Sequence, residues 1–246
     1  MAQLDGRVAF VTGGSRGIGA AISRALAADG AQVVLTYVGS EQKAHAVAQE
    51  ITAAGGKALA LQVDSAEPRA IQRAIERVVG DFGRLDILVN NAGVAVATPT
   101  DELSLEEIDR LLAINTRAPF LATQYATRYM REGGRVISIG SNLAERVIFP
   151  GLTLYSMSKS ALLAMTRGFA RELGPRGITV NLVNPGSTDT DMNPADGPSA
   201  DAQRSASALG RYATPADIAN AVVFLAGEGA RSITGTSLLV DGGFNA

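Results

Sequence analysis

The sequence predicts a doubly wound α/β domain, a three-layer fold with a parallel seven-stranded sheet between helices. Three observations predict it. Short runs that are apolar on both faces alternate along the chain with longer segments of helical period, the pattern of a parallel sheet covered on both sides. A glycine-rich turn follows the first of these runs. No linker or internal repeat divides the 246 residues, so residues 1–246 are expected to form one domain.

The elements follow in order. Val8 to Val11 is the first predicted strand, and the helix after it runs to about Asp29, where Gly30 stops it. A second strand is expected over Gln32 to Thr36 and a second, solvent-facing helix over Glu41 to Ala54, ended by Gly55 and Gly56. Ala58 to Val63 is the third strand and Pro68 to Phe82 the third helix. Asp86 to Asn90 is the fourth strand, followed by one long helix from about Ser104 to Met130. Arg135 to Ile139, Ile178 to Val183 and Ser237 to Val240 complete the strands, with helices over Leu154 to Leu173 and Pro215 to Ala226. The least regular stretch, Asn184 to Ser205, reads as a lid or as disordered chain.

Composition excludes several functions. A 46% hydrophobic content supports a large core. The formal net charge of −2, with both signs scattered, argues against nucleic acid or an anionic membrane as the main partner. With no cysteine there is no disulfide, thiolate nucleophile or thiolate metal site. The single histidine, His45, lies on a helix expected to face solvent, which argues against a Ser-His-Asp triad, and no metal site is expected. Acid–base chemistry is left to Tyr, Lys, Asp or Glu. The N-terminal residues show no signal-peptide core, and no apolar run reaches the roughly 18 residues of a membrane span. A cytoplasmic protein is expected.

The glycine turn reads Thr12-Gly13-Gly14-Ser15-Arg16-Gly17-Ile18-Gly19 and opens a helix. Glycines let the backbone approach a pyrophosphate, and the helix N-terminus offers it unpaired N–H groups and a positive dipole. Gly13, Gly17 and Gly19 match the spacing of the short-chain dehydrogenase/reductase family, and the chain resembles its classical branch, most closely the 3-oxoacyl-(acyl-carrier-protein) reductase-like members. Further landmarks carry the resemblance in order: Asn90-Asn91-Ala92-Gly93, Asn115, Ser141, Tyr155-Ser156-Met157-Ser158-Lys159, Pro185-Gly186 and Asp241-Gly242-Gly243. The resemblance implies a Rossmann-like dinucleotide-binding domain. It implies cofactor contacts from Gly13, Ser15, Arg16, Gly17, Ile18 and Gly19, from Asn91, Ala92 and Gly93, and from Pro185, Gly186, Thr188 and Thr190. Family members usually carry isoleucine where this chain has Thr188.

The end of the second strand separates NAD from NADP, because an acidic residue there bonds the NAD ribose and repels a 2′-phosphate. Here Leu35-Thr36-Tyr37-Val38-Gly39-Ser40 holds no acid. Arg16 is expected to pair with the phosphate, with hydrogen bonds from Tyr37 and Ser40, so NADP(H) is preferred over NAD(H). The competing reading makes Arg16 a solvated surface side chain. Asp64, followed by Ser65, matches the family position that bonds the adenine amino group; it also reads as a helix N-cap.

Tyr155 and Lys159 stand four apart on one helix face, about 5–6 Å apart at Cβ. An adjacent ammonium, with the positive nicotinamide of oxidised cofactor, should favour the tyrosinate. Ser141 is expected to hold the substrate oxygen. Ser138 is its rival but lies earlier in the strand. Asn115 resembles the family residue that holds a water behind the lysine; alternatively it pins a helix. The implied reduction delivers hydride from NADPH to a carbonyl carbon and a proton from Tyr155 to its oxygen, with the tyrosine recharged through Lys159, the cofactor ribose and the water at Asn115.

The expected substrate is a small carbonyl compound or alcohol, with a 3-oxoacyl thioester as one candidate. Against an acyl carrier, Arg128, Arg131 and Arg135 are interrupted by Glu132, with Arg171 and Arg176 as further candidates, and the lid holds Asp189, Asp191 and Asp196. The alternative function is a nucleotide-binding regulator of little turnover. Excess apolar surface on Pro215 to Ala226 and the last strand resembles the family's tetramer interface, so a homotetramer is expected.

Overall fold

The structure, a computed structural model, describes residues 3–246. Seven strands form one parallel sheet in the order β3-β2-β1-β4-β5-β6-β7. They are β1 (Val8–Val11), β2 (Gln32–Tyr37), β3 (Lys57–Gln62), β4 (Ile87–Asn90), β5 (Arg135–Ile139), β6 (Thr179–Pro185) and β7 (Ser237–Val240). The strand order reverses between β1 and β4, which opens a crevice at their carboxyl ends.

Alternation along the strands builds two cores. Ala9 and Val11 of β1 point to the face covered by α1 (Gly17–Ala28), α2 (Glu41–Ala53) and the late helix Pro215–Ala226. Val8 and Phe10 point to the other face, packed by α3 (Pro68–Phe82) and the helices that follow β4 and β5. Helix α2 is less exposed than its sequence suggests, because Ala44, Val47, Ala48 and Ile51 are buried. His45 remains exposed on its outer side.

The expected helix from Ser104 to Met130 is three pieces. Ser104 and Glu107 form a capping box that starts α4 (Leu105–Leu112); a π-helical turn, Ala113–Arg117, follows; α5 (Ala118–Ala126) ends before Met130. Pro119 explains the break. It has no N–H, so the carbonyl of Asn115, four residues earlier, cannot make its α-helical bond. Helix α6 (Thr153–Leu173) then packs along β6. The irregular stretch after β6 is also more ordered than expected, since it contains α7 (Ala200–Ala206) before α8 (Pro215–Ala226). Among the described residues, no helix is long and apolar enough to cross a membrane.

Candidate active site

The predicted site residues gather at the carboxyl ends of β1, β4, β5 and β6. Gly13, at φ +66°, turns the chain out of β1, and a Cβ on Gly19 would come within 2.2 Å of the Gly13 carbonyl oxygen. The loop is therefore closed against its own helix as tightly as glycine permits. Arg16 is the N-cap of α1 but gives no side-chain cap, so no side chain occupies the first N–H groups of that helix. This is the donor set an anionic pyrophosphate requires.

Thr12, which the sequence did not single out, ties this loop to the next. Its Oγ1 accepts from the backbone N–H of Asn91 and of Ala92, each at 3.0 Å. Asn91 answers with its side-chain amide, donating to the carbonyls of Thr12 and Gly13 at 3.0 and 2.9 Å. Gly93 sits where a Cβ would be 3.3 Å from the Lys159 amine and 3.4 Å from Asn115 Oδ1.

Asn115 is buried and saturated. Its Oδ1 accepts from the Val94 N–H at 2.9 Å, and its Nδ2 donates to the Val94 carbonyl at 2.9 Å and to Ser158 Oγ at 3.1 Å. Ser158 donates in turn to the backbone carbonyl of Tyr155 at 2.7 Å. Ser158, like Thr12, was missed because a small hydroxyl in an apolar surround has no motif of its own.

Lys159 is 5% exposed and donates to the Ile139 carbonyl at 2.9 Å. Its amine lies 5.9 Å from the centre of the Tyr155 ring. Burial lowers its pKa to about 8. The same burial raises the Tyr155 pKa, and the hydrogen bond from Ser141 works in the opposite direction without cancelling it. Within the chain alone, desolvation favours the phenol over the tyrosinate.

Ser141 is held from behind. Its N–H donates to Asn184 Oδ1 at 3.1 Å, and Asn184 donates to Ser237 Oγ at 2.9 Å. Its hydroxyl accepts from the Leu143 N–H at 3.2 Å and donates to Asn142 Oδ1 at 3.5 Å. Ser138 is buried inside the sheet, bonded to Asn90 at 3.3 Å, and does not enter the site.

The adenosine end is less uniform. Ser40 precedes α2 without capping it, so its hydroxyl is uncommitted. Tyr37 is buried in the core, edge-on to His45. Asp64 accepts from the Ala66 N–H at 2.9 Å in a tight turn, while Glu67, not Asp64, takes the N-cap position of α3; Ser65 beside it is buried. Ser15 is buried, and Ile18 packs against the α1 core. Pro185 ends β6, and Gly186 is so close to Asp241 that a Cβ would lie 2.6 Å from its Cα. Thr188 is buried and donates to the Gly186 carbonyl at 3.0 Å. Thr190 lies against Gly17, 3.3 Å from where a Cβ would stand.

Arg16 is half exposed, as the solvated reading expects, and faces Asp191 at 3.4 Å, with Lys43 on the same carboxylate oxygen at 3.0 Å. Of the lid acids, Asp189 accepts from the Ala195 N–H at 3.0 Å, so two of the three are already committed. The arginines considered for a carrier protein lie elsewhere. Arg135 starts β5 at the amino end of the sheet and is 2% exposed, paired with Glu228 at 3.6 Å. Arg176 donates to the carbonyls of Thr127 and Met130 at that same end. Arg171 is four turns of α6 from Tyr155, about 24 Å along the axis. Among the described residues, no group of three or more His, Cys, Asp or Glu is placed to hold a metal.

Known proteins share this fold. The sequence model of a family described as enoyl-(acyl carrier protein) reductase matches residues 13–245. A short-chain dehydrogenase from Burkholderia cenocepacia J2315, solved in complex with NADP, is 56% identical and superposes with a TM-score of 0.98, covering 99% of this chain and 100% of that one. A short-chain dehydrogenase/reductase from Serratia marcescens is 55% identical, also with a TM-score of 0.98, over 99% and 100% of the two chains. A cyclic-di-GMP-binding biofilm dispersal mediator protein of Escherichia coli is 46% identical over the full length of both chains. Likeness at this level, carried from end to end, places the chain in the short-chain dehydrogenase/reductase family, among the oxidoreductases.

Proposed function

We propose that the protein is an NADP(H)-dependent oxidoreductase that interconverts a carbonyl group and an alcohol, with Tyr155 as proton donor and acceptor. The observation that carries this reading is the buried Lys159 amine 5.9 Å from the Tyr155 ring, with Ser141 fixed just past the end of β5 by Asn184. Bound nicotinamide supplies or takes the hydride. The chain's own residues do the rest. The Ser141 and Tyr155 hydroxyls hold the substrate oxygen, and the raised pKa of Tyr155 keeps the phenol protonated, the form needed to give a proton to a developing alkoxide. Lys159 holds positive charge beside the tyrosinate left behind. Both N–H groups of the Asn115 amide are engaged, and the backbone carbonyl of Asn115, which Pro119 leaves without an α-helical partner, is the group assigned to the proton relay.

The cofactor reading rests on the open first turn of α1, on the basic pair Arg16 and Lys43, on the absence of an acid after β2, and on the NADP-bound relative. A small neutral ketone or aldehyde fits better than a carrier-bound thioester, because the candidate arginines stand at the wrong end of the sheet. A screen of carbonyls with NADPH and NADH side by side, including an acetoacetyl thioester, tests all three points. Tyr155→Phe should lose at least about a hundredfold in turnover while still binding NADPH; unchanged turnover would sink the mechanism.

The second reading is a nucleotide-binding regulator, and the cyclic-di-GMP-binding relative favours it. A full set of Asn115, Ser141, Tyr155 and Lys159 is more than a binder needs. Titration with cyclic-di-GMP alongside the carbonyl screen separates the two: tight binding without turnover of any carbonyl supports the regulator.

A homotetramer is part of the proposal. Dihedral assembly needs two distinct self-complementary faces. One is the outer side of α8 and β7, where Phe224 and Leu239 are exposed. The other is a groove of about 830 Å³ between α4, α5 and α6, lined by Leu112, Phe120, Met165 and Phe169. A monomer by light scattering at micromolar concentration would remove it.

A further inference from the structure

Asp191 bridges two cations from separate parts of the molecule. Its Oδ2 lies 3.0 Å from Lys43 Nζ in the first turn of α2 and 3.4 Å from Arg16 Nη1 in the glycine loop. The neighbouring Thr190 packs on Gly17. Among the described residues, Asp191 makes every side-chain hydrogen bond from residues 189–198 to Arg16 and Lys43; the others join the segment to itself or to the stretch 199–212. The two bases therefore already converge on one anionic group. That group is a carboxylate from the stretch after β6.

We propose that Arg16 and Lys43 form a single anion site that selects a 2′-phosphorylated cofactor, and that Asp191 is its resident competitor, displaced by the phosphate. The proposal rests on the NADP(H) reading above and adds Lys43 and Asp191 to it. A carboxylate brings one charge and two oxygens. A phosphate monoester brings about −1.5 to −2 charges and three acceptor oxygens, so it takes both cations from Asp191. A ligand shifts such an equilibrium only through differential affinity. NADH, which lacks the phosphate, has nothing to offer the pair and leaves Asp191 where it is. The preference for NADP(H) is then the strength of the two-cation site less the cost of displacing its own anion.

The test is equilibrium binding of NADPH and of NADH to the full chain, read by cofactor fluorescence, in the parent and three variants. Lys43→Ala should weaken NADPH about tenfold, the loss of one charge-assisted bond, with NADH unchanged; Lys43→Arg should keep the preference. Asp191→Asn should tighten NADPH about two- to threefold, the scale of an exposed ion pair, again with NADH unchanged. The proposal is overturned if the parent prefers NADPH yet Lys43→Ala leaves the ratio of the two affinities alone, or if Asp191→Asn fails to tighten NADPH. A parent that binds NADH the more tightly overturns the cofactor reading itself, and is recognised before any variant is made.

Discussion

Asn115 donates its side-chain amide to the hydroxyl of Ser158 at 3.1 Å, and through it the helix carrying Asn115 is joined to the turn carrying Tyr155. Both residues are buried, with Ser158 fully so. Ser158→Ala leaves one buried amide N–H of Asn115 without a partner, which costs about 1–2 kcal/mol. The expected result is a lower Tm with a fall in kcat and little change in NADPH affinity. If kcat survives, the bridge is structural only.

Pro119 exposes the Asn115 carbonyl by withholding an N–H. Pro119→Ala restores the donor and should let the α-helix close through residues 113–119. Turnover should fall about tenfold or more while Tm holds or rises. Equal turnover in the variant would remove the carbonyl from the relay.

Lys159 is held charged where water is scarce. Its pKa falls from 10.5 to about 8 on folding, which at ~1.4 kcal/mol per unit is roughly 3 kcal/mol of cost at neutral pH. Between pH 8 and 10.5 the unfolded chain binds the extra proton, so native stability rises with pH across that window. Lys159→Met should be inactive yet more stable than the parent at pH 7. The bond lost to Ile139 trims the gain to about 1–2 kcal/mol. Thermal melts should show the gap closing by pH 10; a gap independent of pH would show that burial of the charge is not its source.

Arg135 is the largest of the fully buried side chains, and its Nε finds no partner. Glu228 balances it at 3.6 Å and also pairs Arg7 at 2.8 Å. Glu228→Gln leaves two guanidinium groups facing each other. Because Glu228 is itself largely exposed, the expected loss is about 1–2 kcal/mol rather than that of a buried pair. Urea denaturation measures it, and activity should be unchanged, since the cluster lies at the amino end of the sheet.

Much of the architecture was legible in the chain. A strand such as Val8 to Val11, apolar at every position, has only one home, a sheet covered on both faces, and seven mainly apolar runs in alternation with helices leave few topologies. The glycine loop, Tyr155 and Lys159 announce themselves because their spacing is local. The break at Pro119 was also written in the sequence, but a long amphipathic period hid it.

What the sequence determined by itself is the fold, the cofactor loop and the residue types left for proton transfer. Tertiary structure decided what depends on distance between remote segments: that Ser138 turns into the sheet while Asn184 fixes Ser141 just past the end of β5, that Thr12 and Ser158 fasten the site, and that Asp191 shares one oxygen with Arg16 and Lys43. It also set the pKa of Lys159 and Tyr155, because these follow from how much water the packed fold removes, a quantity no local pattern carries.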